Sequence, residues 1–236
     1  MPAQVTNVAS DDALTAIYRI HHDEQSEVIA ARLAERLEVT QPSISGMLRR
    51  LQRDQLIEID SQKRITLTGQ GFTRAEEMIR RHRLAECLLV DTLGLEWWRA
   101  YEEAHLLEHA LSEITEPLVR AHLGDPQLSP FGYPIPGVST TTTMSRQTLA
   151  DLDAGEPATV ERVFEEDEDL LRFFDDVGMR PGAIVQVERH QRPLGVVEVA
   201  LAESVVTMGY PAARRVWIQP TPRAEERATR KRGATA

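Results

Sequence analysis

His105, Glu108 and His109 stand at i, i+3 and i+4 within residues 101–112. On a helix that spacing places the three side chains on one face, where they can converge. Two imidazoles and a carboxylate arranged this way form half of a cage for a divalent transition metal. The same residues have two other readings. They can be the wet side of an amphipathic helix. They also spell H-x-x-E-H, the inverted zinc-peptidase pattern, in which Glu108 would be the general base and His105 and His109 the zinc ligands.

The elements that must position this face begin well upstream. Residues 10–21 read as a first helix: Ser10 suits an N-cap, Asp11 and Asp12 suit the positive end of the helix dipole, and Ala13, Leu14, Ile17 and Ile20 make an apolar stripe. A second helix is expected over residues 26–37. After a short turn a third begins at Gln41, with Thr40 as its cap and Pro42 in the tolerated first turn. Two β-like runs, 56–59 and 64–67, flank a polar turn. Helix, helix, tight turn, helix, hairpin is the order of a winged helix-turn-helix. Its third helix opens with Thr40, Gln41, Pro42, Ser43 and Ser45, small enough to approach base edges, and Arg49, Arg50, Arg53, Lys63 and Arg64 can meet phosphates. The net charge of −10 weighs against nucleic-acid binding only if the acid is spread evenly, and over residues 41–66 basic side chains outnumber Asp54, Glu58 and Asp60.

A long helix follows at about 72–93, carrying His82 and Glu86 at i, i+4 and stopped by Gly94. The helix with the His/Glu face is expected to run on past Pro117, with a kink, to about His122. Both helices have wide apolar faces that suit a core or a dimer interface. Residues 125–143 are rich in Pro, Gly, Ser and Thr and read as a linker. Beyond it come short β-type runs at 159–163, 184–187, 196–201, 205–207 and 216–218, with a short helix at 170–177, a pattern that suits a small barrel. The tail over 221–236 is polar and basic at Arg230, Lys231 and Arg232, and disorder is expected there.

Hydrophobic residues at 42% and charged residues at 27% are ordinary for a globular chain. No apolar run approaches the roughly eighteen residues of a membrane helix, and the N-terminus lacks the layout of a secretion signal, so no membrane partner is expected. Cys87 is the only cysteine, which excludes an intrachain disulfide and fits a reducing, cytoplasmic setting.

The order of parts resembles the diphtheria-toxin-repressor (DtxR/MntR) family of metal-dependent transcriptional regulators. The likeness rests on several separate stretches: Ala34 to Leu37 running into Pro42–Ser45, Arg81 to Glu86, Ala104 to Ser112 with its Leu107-Glu108-His109, and Ser129 to Gly132 followed by Pro134 to Gly137. The resemblance implies a mainly α chain with a smaller β part. A winged helix-turn-helix would occupy 1–71, a helical metal-binding and dimerisation domain with its Pro-rich linker 72–143, an SH3-like β-barrel 144–220, and a basic tail 221–236. It implies a homodimer on double-stranded operator DNA with an inverted repeat, and regulation, as a repressor, of metal-ion homeostasis.

The resemblance also implies a ligand set. The principal metal site of the family maps onto Asp12, His105, Glu108 and His109. Iron-responsive members resemble this chain but carry methionine and cysteine where it has Asp12 and His105. Oxygen and imidazole in place of sulfur suit Mn(II), with Fe(II) second; Zn(II) or Co(II) can substitute in vitro. An ancillary site of the family maps onto His82 and Glu86, with Glu166 and Asp169 from the SH3-like domain, while a further family histidine falls on Tyr101. Gly46 stands where iron-type relatives use a glutamine near the bases, so operator sequence does not carry over. The rivals are the zinc peptidase, for which an upstream winged helix has no use, and a winged-helix DNA-binding dimer without metal regulation. Asp12 separates them, because only a metal bridging the two domains needs it.

Overall fold

The computed structural model describes residues 8–141, 143–202 and 204–221. They form two compact units. Among the described residues, one takes in 8–96 with 100–129 and 133–144; the other takes in 97–99, 130–132 and those from 145 to 221. The tail expected to be disordered lies, from residue 222, outside the described residues. No helix among the described residues is long and apolar enough to cross a membrane.

The first unit begins with α1, Val8–Tyr18, which continues into a wide π-type turn over Arg19–Asp23. Because α1 already runs at Val8, Ser10 sits buried inside the helix and does not cap it. Leu14, Ile17 and Ile20 pack into one core with Leu33 of α2 (Ala30–Arg36) and Ile44, Leu48 and Leu51 of α3 (Gln41–Arg53). The cap of α3 is the expected one: Thr40 is extended, and its hydroxyl accepts from the Ser43 N–H at 3.4 Å. The wing pairs β1 (Ile57–Ile59) with β2 (Ile65–Leu67) in antiparallel register.

α2 is shorter than periodicity suggested, for a reason outside its own sequence. The Ile65 N–H donates to the Val28 carbonyl at 2.8 Å, and Ile29 bridges to Arg64, so residues 28–29 join the wing as an extended segment. Tertiary pairing overrides helix propensity there.

α4, Gly69–Cys87, starts earlier than the pattern suggests because Thr68 caps it, accepting from the Gly71 N–H at 3.1 Å. Only glycine fits at Gly71, since a Cβ would lie 1.9 Å from the Leu56 carbonyl oxygen. α4 continues in a wide turn over Leu88–Thr92. α5 spans Ala100–Glu108 and α6 spans Thr115–His122, two helices where one kinked helix was expected. Pro117 has no N–H to give and its ring clashes with a carbonyl one turn back, so it is accommodated in the first turn of a new helix. Ser112 and Thr115 close the break: the Ser112 N–H donates to the Thr115 hydroxyl at 2.8 Å, and the Ser112 hydroxyl accepts from the Ile114 and Thr115 N–H groups.

The second unit is a five-stranded antiparallel sheet of SH3-like type. Its strands are β3 (Pro157–Val163), β4 (Ile184–Gln191), β5 (Val196–Leu201), β6 (Ser204–Gly209) and β7 (Val216–Pro220), in the order β6-β5-β4-β3-β7. Bulges at Val160/Arg162 and Val187/Arg189 bend the strands. α7, Glu168–Val177, lies between β3 and β4 in sequence and buries Leu171 and Phe174. Residues 97–99 belong to this unit: the Trp97 indole donates to the Pro130 carbonyl at 3.0 Å, and Arg180 and Arg172 lie over the rings of Trp97 and Trp98.

Candidate metal centre

α1, α4 and α5 position the His/Glu face. Asp11 is 1% exposed and takes an ion pair from Arg74 of α4, with Nε–Oδ1 at 2.6 Å, which pins the start of α1 on α4. That anchor leaves the next residue, Asp12, turned toward α5. α5 meets α4 through small residues, Ala100 and Ala104, which are fully buried and admit close approach. His109 sits in the turn that ends α5, where the Ala110 N–H bonds to the Leu107 carbonyl at 2.9 Å and tightens the last turn.

Asp12, His105, Glu108 and His109 each offer one ligand atom within 4.8 Å of all the others. Glu108 Oε1 lies 3.2 Å from His105 Nδ1 and 3.3 Å from His109 Nε2, and Asp12 Oδ1 lies 3.8 Å from His109 Nε2. Nitrogen and oxygen donors bonded at about 2.1 Å around one ion stand roughly 3.4 Å apart, so these spacings need little adjustment. Asp12 Oδ1 and His109 Nε2 are buried with no hydrogen-bond partner among the described residues. An orphaned acceptor pair of this kind demands an explanation, and a shared cation supplies one.

Glu108 itself is 3% exposed and fixed from behind. His82 Nδ1 lies 2.6 Å from its Oε2, and His82 Nε2 lies 3.0 Å from Glu86 Oε1. Burial works against the Glu108 charge, yet hydrogen bonds from His105 and His82 hold its pKa down to about 2. Asp12 is pushed up by burial, against the pull of His105 and His109. His105 is raised by its hydrogen bond to Glu108, with burial opposing. His82 is also raised: burial acts against its charge, and the two carboxylates outweigh it. A ligand carboxylate oriented by a second buried group is the usual outer layer of a metal site.

The structure therefore gathers the four principal residues, while His82 and Glu86 join each other and Glu108. Glu166, in the turn after β3, and Asp169, in the first turn of α7, belong to the second unit. At the winged helix, Thr40, Gln41, Pro42, Ser43, Ser45, Arg49, Arg53 and Lys63 are exposed, and Arg50 and Arg64 are half-buried. Several have partners on the protein. The Thr40 and Ser43 hydroxyls bond to each other, the Ser45 hydroxyl donates to the Gln41 carbonyl, Arg53 pairs with Asp54, and Arg64 pairs with Asp60 and Glu27. Sequence reasoning missed Arg19, which is 5% exposed with its guanidinium 5.2 Å from the Tyr101 ring centre. The signal was its place seven residues after Asp12, two turns along the same helix face.

A winged helix joined to a helical unit with a four-donor cluster defines a metal-responsive DNA-binding regulator, and comparison with known proteins gives the family. Residues 8–65 match the iron dependent repressor N-terminal DNA binding domain, 68–137 the iron dependent repressor metal binding and dimerisation domain, and 147–220 the FeoA domain. The chain is 34% identical over 221 residues to the iron-dependent repressor IdeR of Mycobacterium leprae, covering 87% of this chain and 94% of that one. It is 31% identical over 191 residues to the diphtheria toxin repressor of Corynebacterium diphtheriae, covering 74% and 81%. A manganese-dependent transcriptional repressor solved in complex with manganese superposes with a TM-score of 0.83 at 32% identity, covering 90% of this chain and all of that one. The chain belongs to the iron-dependent (diphtheria-toxin) repressor family of metal-dependent transcriptional repressors. These are regulators and not enzymes, so the H-x-x-E-H spelling is not that of a peptidase.

Proposed function

We propose that this chain is a Mn(II)-activated repressor of metal-ion homeostasis, with Fe(II) as the second choice, working in the cytoplasm as a homodimer on an inverted-repeat operator. The observation that carries this reading is the convergence of Asp12, from the segment matching the DNA-binding domain, on His105, Glu108 and His109, from the segment matching the dimerisation domain. When bound, the ion supplies a set of bonds shared by α1 and α5.

The remaining steps belong to the protein. Asp12 ties α1 to α5, and α1 packs in one core with the recognition helix α3. Paired recognition helices must meet successive major grooves about 34 Å apart, so fixing α1 favours the DNA-competent spacing. Differential affinity for that arrangement sets the response: each tenfold requires about 1.4 kcal/mol. Exposed Leu106 on α5, Ile114 just before α6 and Leu118 on α6 offer apolar surface suited to a second copy. Gln41, Ser43 and Arg49 lead the DNA contact, with Lys63 on the wing reaching phosphates.

Manganese is favoured because the cluster holds two carboxylates and two imidazoles and no sulfur, a hard-to-borderline donor set. The solved manganese-dependent repressor it resembles supports the same choice. The test is a gel-shift titration on DNA from the gene's own promoter neighbourhood, in chelator, Mn(II) and anaerobic Fe(II). Metal-dependent shifts with Mn(II) acting at the lower concentration are expected. Equal binding in chelator overturns the switch, and a lower activating concentration of Fe(II) reverses the metal order.

A further inference from the structure

We propose that Gly46 and Arg49 together read one base of the operator: the bare backbone at Gly46 lets α3 seat close against the floor of the major groove, and Arg49, lying across it, meets a guanine and not a phosphate. The inference rests on the DNA-binding reading above. It deepens that reading, from the element that meets DNA to the residues that choose its sequence.

α3 turns Ile44, Leu48 and Leu51 into the core. With about 3.6 residues per turn, Pro42, Gly46, Arg49 and Arg53 line the opposite face. Gly46 stands in the middle of that face, in the interior of a helix of 13 residues. Glycine there weakens a helix relative to alanine, so some other demand must favour it. The free protein makes none. The φ of Gly46 lies outside the left-handed region, and beyond the helix backbone the one atom within 4 Å of its missing Cβ, among the described residues, is Arg49 Nη2 at 4.0 Å. Gly71 is the opposite case, since its fold alone forbids a Cβ. A recognition helix lies in the major groove with its N-terminal part toward the base edges, so what comes up to the bare Gly46 Cα is DNA.

The polar groups near this face are not equivalent. Arg53 is held by Asp54, and Arg64 by Asp60 and Glu27. The Ser45 hydroxyl is spent on the Gln41 carbonyl, and those of Thr40 and Ser43 on each other. Arg49 is exposed and takes no ion pair or hydrogen bond among the described residues. Its guanidinium lies instead over the gap at Gly46, back toward the N-terminal end of α3, which is the end that meets base edges. A guanidinium presenting its fork there matches O6 and N7 of guanine, a pair of acceptors that no other base offers in the major groove.

The test selects binding sites from a randomised double-stranded DNA library with full-length protein in saturating Mn(II), then measures affinity for the selected site across a salt series. Wild type, Arg49→Ala and Gly46→Ala are compared. Wild type is expected to keep a guanine at one position of each half-site. Arg49→Ala should lose that preference and no other, with discrimination at that base falling about 5- to 150-fold. Gly46→Ala should raise the thermal midpoint by about 2–4 °C, since it mends the helix, and yet weaken binding to the selected site about fivefold or more. A glycine that serves only the fold cannot give those opposite signs. If Arg49→Ala weakens all sequences alike and lowers the salt slope by about one, Arg49 meets a phosphate and the proposal is overturned. Wild-type affinity in Gly46→Ala overturns it too. A wild type that selects the same site in chelator removes the metal switch alone; one that selects no sequence in Mn(II) removes the DNA-binding reading and the proposal with it.

Discussion

Glu108 faces two ways, and its two sides differ in everything except residue type. Toward Oε1 stand His105, His109 and Asp12, half-buried, with Asp12 Oδ1 and His109 Nε2 lacking a hydrogen-bond partner among the described residues. Toward Oε2 stand His82 and Glu86, fully enclosed: His82 Nδ1 bonds to Glu108, while His82 Nε2 and both Glu86 oxygens have no hydrogen-bond partner among the described residues. Histidine and glutamate make both clusters. A metal site needs donors gathered about one point, and among the described residues it is the Oε1 side where four side chains offer ligand atoms within 4.8 Å of one another. A list of ligand-type residues does not identify one.

That contrast can be broken most severely at the shared residue. Glu108→Ala removes a ligand and strips His82 of a partner in a buried site. Breaking a buried ion pair costs about 3–5 kcal/mol, so a fall in thermal midpoint is expected together with loss of metal-dependent DNA binding. Circular dichroism and gel shift read the two effects, and a variant of unchanged stability would show that His82 does not depend on Glu108.

His82→Leu acts on one side only. It leaves all four donors in place but removes the group that orients Glu108, so metal affinity should weaken about 10–100-fold, as for other outer-layer changes. Competition against a fluorescent chelator measures it. DNA binding at saturating metal should survive; unchanged metal affinity would mean that α5 alone aims Glu108.

A smaller effect comes from protons. His105 is raised above its ordinary value by the Glu108 hydrogen bond, and Asp12 is raised by burial. Both groups must shed a proton to ligate, so protons compete with the ion to a higher pH than for free side chains. Apparent Mn(II) affinity should rise with pH by about tenfold per unit for each proton displaced, and flatten above the raised His105 value. Calorimetry across a pH series reads this, and a flat profile through pH 6–8 would remove His105 from the ligand set.

Much of this was legible in the sequence because it is local. Thr40 and Pro42 announce α3, and the 105/108/109 spacing announces a shared helix face. Asp12 could be assigned only through family resemblance, since its approach to His109 depends on how Asp11 is pinned by Arg74 of a distant helix. The shortening of α2, caused by residues 28–29 pairing with the wing, and the burial of Arg19 beside Tyr101 likewise depend on packing between segments far apart in the chain. Periodicity carries no record of such packing. The break before α6 was half legible: Pro117 signalled trouble, and the Ser112–Thr115 bonds turned a kink into two helices.

The central claim is that the ion works by joining the DNA-binding segment to the dimerisation segment, and Asp12 is the one donor from the former. The most direct measurement is DNA affinity by fluorescence anisotropy for Asp12→Ala, with and without saturating Mn(II), beside a metal-binding isotherm for the same variant. The account predicts that His105, Glu108 and His109 still hold the ion, more weakly, while its addition no longer tightens DNA binding. Full metal stimulation of DNA binding in Asp12→Ala, once the ion is saturating, would contradict the account.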